Sequence, residues 1–167
     1  SPLKTYSLSS AAFAALSETL LQAGTAVRFR ANGASMLPLI QAGDFLLVKP
    51  VAPCQIRVGD VVLFITEEGR PLVHRVIKRQ KRAQCYSFLL KADQASEEDG
   101  LIAQEGVLGR LETVERAGRE ISMRSLAYRM MGIGLAWRSR GLKLPQFGGR
   151  AKGALLRAKP ETFGENE

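Results

Sequence analysis

Residues 59–77, GDVVLFITEEGRPLVHRVI, carry two short apolar runs separated by a turn signal. Val61 to Ile65 (VVLFI) and Leu72 to Ile77 (LVHRVI) are rich in Val, Ile, Leu and Phe, and Gly59-Asp60 and Glu68-Gly69 bound them. Runs of this length between Gly, Pro and Asp read as strands. The texture continues outward. Upstream lie Val27 to Arg30 (VRFR), which alternates, and Phe45 to Val48 (FLLV). Downstream lie Tyr86 to Leu90 (YSFLL) and Val107 to Val114. Gly43-Asp44, Asp99-Gly100 and Ala117-Gly118 mark further turns. The pattern predicts a mainly β, mostly antiparallel domain over residues 25–123.

Helical segments flank this domain. Ala11 to Gln22 (AAFAALSETLLQ) places Phe13, Leu16, Leu20 and Leu21 at helical spacing. Ser9 or Ser10 caps this helix and Gly24 ends it, giving an N-terminal unit over 1–24. From Ser125, the residues Leu126, Met130, Ile133 and Trp137 share one helical face, although Gly132 and Gly134 weaken it. Residues 124–167 therefore read as a basic, helical C-terminal extension.

The chain has 167 residues, 46% of them hydrophobic, which suits one globular domain with a modest core. No apolar run reaches the ~18 residues of a membrane-spanning helix. The net charge is +8, and the stretch from Arg124 onward holds nine Lys or Arg against three Glu. Such a tail favours an anionic surface and suggests peripheral contact with a membrane, with Trp137, Leu135 and Met130 among arginines at the lipid interface. Nucleic acid is disfavoured as a partner, because no helix-turn-helix precedes the β-domain. Cys54 and Cys85 alone make neither a disulfide framework nor a zinc site, and with one histidine no metal is expected. Two thiols without an export signal suggest a cytoplasmic location.

His74 is the one histidine. A strand histidine is most often structural, and a serine in a turn is most often a turn residue. The segment Gly33-Ala34-Ser35-Met36-Leu37-Pro38 nevertheless suits rigid display of a serine, with the Ser35 N–H aimed at a bound carbonyl. Neutral His74 would serve as the base that activates the Ser35 hydroxyl, and a carboxylate behind it would fix the imidazole tautomer. Lys78 stands four residues beyond His74, on the same face of a regular strand and ~13 Å along. It cannot share Ser35 with His74. Lys78, Arg79, Lys81 and Arg82 read as a solvated hairpin end.

Taken in order, GASMLPLIQAGD, VGDVVLF, LVHRVI, KADQASEEDG and VLGRL resemble the signal peptidase I and LexA-type superfamily of serine peptidases. Within it the motifs look most like the archaeal and endoplasmic-reticulum signal peptidases, which carry histidine where bacterial signal peptidases and LexA-type repressors carry lysine. The resemblance spans roughly Val27 to Leu111. It implies a signal-peptidase/LexA-like β-fold, no cofactor, and a peptide or protein substrate cut after small residues. Ser35 then matches the nucleophile, His74 the general base and Asp99 the orienting acid, with Asp93 as the alternative acid. The Ser35 N–H serves as oxyanion donor, and Met36 lies on the substrate side.

Two departures stand out. Signal peptidases often carry a serine two residues before the nucleophile as an oxyanion donor, and here that residue is Gly33. They also usually carry a membrane anchor, for which this sequence has no candidate. Both leave open a second reading, a peptide-binding or adaptor module without catalysis. Ala23-Gly24 is the pair that LexA-type self-cleavage would use, but it lies too close to Ser35 to reach back into the site.

Overall fold

The computed structural model describes residues 8–124 together with 131, 133 and 134. Most of the C-terminal extension predicted over 124–167, including the Trp137 face, lies outside the described residues. One helix, α1 (Ser10–Gln22), precedes eight strands: β1 (Val27–Arg30), β2 (Phe45–Lys49), β3 (Val61–Ile65), β4 (Pro71–Arg82), β5 (Cys85–Lys91), β6 (Gly100–Ala103), β7 (Val107–Arg116) and β8 (Arg119–Ser122). All pairings are antiparallel, in the order β1-β2-β7-β3-β4-β5-β6, with β8 added to β7. The predicted strands are all present. β6 and β8 are additional; each is only four residues long and largely exposed.

β3 explains how one sheet supports two cores. Alternate side chains of a strand point to opposite faces. Val61 and Leu63 join a core with Val73, Leu46, Val48, Leu111 and Val114, covered by Leu21 of α1 and by Met36, Leu39 and Ile40 of the loop after β1. Val62 and Phe64 join a second core with Ile56, Val76, Phe88 and Leu90. The central strand is therefore buried on both sides and reads as a continuous apolar run. Gly109 of β7 marks a place of close approach. A Cβ there would stand 2.6 Å from the Lys49 carbonyl oxygen and 2.7 Å from Val48 Cγ1.

Ser9 caps α1, its hydroxyl accepting from the Ala12 N–H at 3.2 Å. The buried face of α1 runs through Ala14, Ser17 and Leu21, with Phe13 and Leu20 half-buried beside it. Leu16, expected on that face, is 47% exposed. It lies off the i, i+3, i+4, i+7 stripe set by residues 14, 17 and 21. The Ala23-Gly24 bond is tied into the helix end, where the Gly24 N–H donates to the Leu21 carbonyl. It is not presented as an extended segment.

β4 also corrects an expectation. Val76 pairs with Leu90, but Lys78 pairs with Leu89, so a β-bulge interrupts the register between them. Leu89 and Leu90 face opposite sides of the sheet, and Lys78 therefore points away from the Val76 face. The strand is not regular between His74 and Lys78, and the two side chains do not share a face.

Candidate active site

Three distant segments converge on His74. β4 carries His74 opposite Val62, next to the Phe64 ring at 5.7 Å between centroids. The imidazole is 2% exposed. The loop between β1 and β2 brings Ser35, whose Oγ lies 3.5 Å from His74 Nε2. The turn entering β6 brings Asp99, whose Oδ2 lies 2.6 Å from His74 Nδ1. An ionised carboxylate only accepts, so Nδ1–H is the donor in this contact; in the neutral imidazole Nε2 is then the acceptor for the Ser35 hydroxyl. The serine contact is at the long limit of a hydrogen bond.

Asp93 does something else. It takes two hydrogen bonds from the Arg75 guanidinium, at 2.7 Å each, and both side chains are buried. Arg75 also donates to the Gly59 carbonyl at 2.8 Å. Of the two acids considered, Asp99 meets the imidazole and Asp93 meets Arg75. Adjacent residues on β4 point to opposite faces, so His74 and Arg75 each recruit a different aspartate from the same loop.

That loop holds the serine segment. The Gln94 N–H donates to the Ser35 carbonyl at 2.9 Å, the Gln94 side chain donates to the Leu37 carbonyl at 2.8 Å, and the Asp93 N–H lies 3.4 Å from Met36 Sδ. From the other side, Asp44 accepts from the Gln41 N–H and from Arg116, and Arg116 also reaches the Leu39 carbonyl. The hydrogen bonds from Arg116 and Gln41 hold the Asp44 carboxyl below the usual carboxylate range, against the opposing effect of burial. A cis peptide bond joins Leu37 and Pro38.

Arg75, Gln94 and Arg116 were not singled out as site residues from the sequence. Arg75 stood in view beside His74, but a lone arginine in an apolar strand says nothing about which acid it will meet.

A cavity of about 20 Å³ opens beside Ser35, lined by Ala31, Gly33, Met36, Ile40, Leu46 and Val73, with Asn32 completing the rim. Its walls are mostly apolar, and it has room for about one water molecule or a methyl group. Gly33 has a φ of 124°, a backbone conformation that a serine side chain would strain. The Ser35 N–H makes no hydrogen bond among the described residues. No group of three His, Cys, Asp or Glu among them is placed to hold a metal ion. Both cysteines are exposed free thiols. No helix among the described residues is long and apolar enough to cross a membrane.

The sheet thus draws a serine, a histidine and an aspartate together from three separate segments. The family model described as Peptidase S24-like matches residues 2–107, and the chain belongs to that family. Comparisons with curated proteins and with solved structures gave no match.

Proposed function

We propose that the chain is a serine endopeptidase that cleaves extended peptides after small residues, in the manner of the histidine-bearing signal peptidases it resembles. The observation that carries this reading is the continuous series of contacts from Ser35 Oγ through the His74 ring to Asp99. Neutral His74 takes the hydroxyl proton at Nε2 as Ser35 attacks the scissile carbonyl. Asp99 holds the tautomer and stabilises the imidazolium that forms. The proton then passes to the leaving amine, and water releases the acyl group by the same route.

The Ser35 N–H supports the developing oxyanion. The small cavity lined in part by Met36 suits a methyl-sized side chain before the cut and leaves no space for a large one. The basic C-terminal residues would bring the domain to an anionic membrane surface where such substrates emerge.

Labelling with a fluorophosphonate acylating probe, paired with hydrolysis of an Ala-x-Ala peptide, tests the assignment. The intact protein is expected to label and turn over, and Ser35→Ala to do neither. Equal labelling of the Ser35→Ala variant overturns it. Glycine at position 33 in place of the serine donor favours a second reading, a peptide-binding module without turnover. Tight peptide binding with no labelling of the intact protein would select that reading.

A further inference from the structure

A second, much larger cavity, about 550 Å³, shares no lining residue with the cavity beside Ser35, and its walls carry Arg57, Arg75, Arg110, Arg124, Asp60 and Leu39. That volume is in the range of small-molecule sites. Among the described residues, four cations and one acid line it. Arg75 is fully occupied by Asp93 and the Gly59 carbonyl. Arg110 leans on Glu112 at 2.8 Å and more loosely on Asp60 at 3.7 Å. Arg124 approaches the same Glu112 only at 3.9 Å, and its side chain is 72% exposed. The Arg57 guanidinium makes no ion pair or hydrogen bond among the described residues. Among the described residues Arg110 and Arg124 thus share Glu112, Arg110 also nears Asp60, and Arg57 adds a guanidinium outside these pairs, so the cavity keeps a surplus of forked donors.

We infer that this cavity binds a small organic phosphate carrying two or more negative charges. Guanidinium groups match phosphate oxygens in pairs of parallel hydrogen bonds. A monocarboxylate would neutralise one charge and leave most of the cavity unfilled. The cavity also abuts the machinery around Ser35. Leu39, on its wall, belongs to the serine loop. Arg75, on its wall, holds Asp93, and the neighbouring Gln94 N–H holds the Ser35 carbonyl. An anion drawing on Arg75 competes with Asp93 and loosens that attachment. The site stands on its own chemistry; its effect on acylation rests on the peptidase reading above.

Calorimetric titration of the full chain with inorganic pyrophosphate tests the site, with chloride at matched ionic strength and citrate as controls. Saturable pyrophosphate binding is expected, weakened at least tenfold in an Arg57→Ala, Arg124→Ala double variant, whose side chains lie on the surface. No saturable binding, or equal affinity in the double variant, overturns the site. Equal affinity for citrate overturns the phosphate class. Pyrophosphate at saturation is further expected to slow fluorophosphonate labelling of Ser35 severalfold. An unchanged rate removes the coupling and leaves the site standing. A protein that binds pyrophosphate but never labels fails the peptidase reading alone.

Discussion

His74 and Arg75 are neighbours in sequence and opposites in environment. One meets Asp99 and the other meets Asp93, and the two aspartates lie six positions apart. Their substitutions separate the roles. Asp99→Asn keeps the shape but removes the acceptor that sets the tautomer, so turnover should fall about 10³- to 10⁴-fold with little change in thermal stability. Asp93→Asn leaves Arg75 buried and unpaired, which costs about 3–5 kcal/mol. That variant should show a lowered melting temperature, and thermal denaturation of the two proteins side by side distinguishes them. If Asp93→Asn alone abolished turnover at unchanged stability, Asp93 would be the orienting acid.

At the scale of elements, turns and bulges set what the strands present. The Gly43-Asp44 turn braces the serine loop through Gln41, Arg116 and Leu39. Because the folded-state pKa of Asp44 is depressed, its stabilisation is complete above the unfolded carboxylate value near ~3.9 and fades as pH falls through the lower folded value. Asp44→Asn should therefore cost about 2–3 kcal/mol at neutral pH and flatten the acid limb of the stability curve. Chemical denaturation at neutral pH and below pH 4 measures both. The bulge after Val76 makes a different prediction. Lys78 faces away from the Val76 side, so Lys78→Ala should leave Ser35 labelling unchanged; a lost signal would give the lysine a part in the chemistry.

At the largest scale, the described residues form two cores divided by one sheet, and β3 belongs to both. Phe64 is fully buried in the second core, alongside the His74 ring. Phe64→Ala should cost about 3–5 kcal/mol and slow acylation as well, since the cavity it opens adjoins the imidazole. Gly109→Ala tests the other half of the sheet. Its Cβ would press on the β2 backbone, so a loss of about 1–3 kcal/mol is expected from the overpacking. Unfolding in urea reads both.

Much of this architecture was legible in the residues. Short Val-, Ile- and Phe-rich runs bounded by Gly and Asp read as strands, and Ser9 or Ser10 before an apolar stripe reads as the start of a helix. The box around Ser35, the strand holding His74 and the loop holding Asp93 and Asp99 were visible as segments. Their meeting was not, because the backbone period that marks a strand carries no information about which distant strand lies beside it. Spacing alone could not choose between Asp93 and Asp99, nor see that a bulge turns Lys78 away. Those outcomes follow from register, and register is decided when both faces of the sheet are packed at once. Local chemistry determined the elements; the antiparallel pairing of β3, β4 and β5 decided which aspartate the imidazole meets.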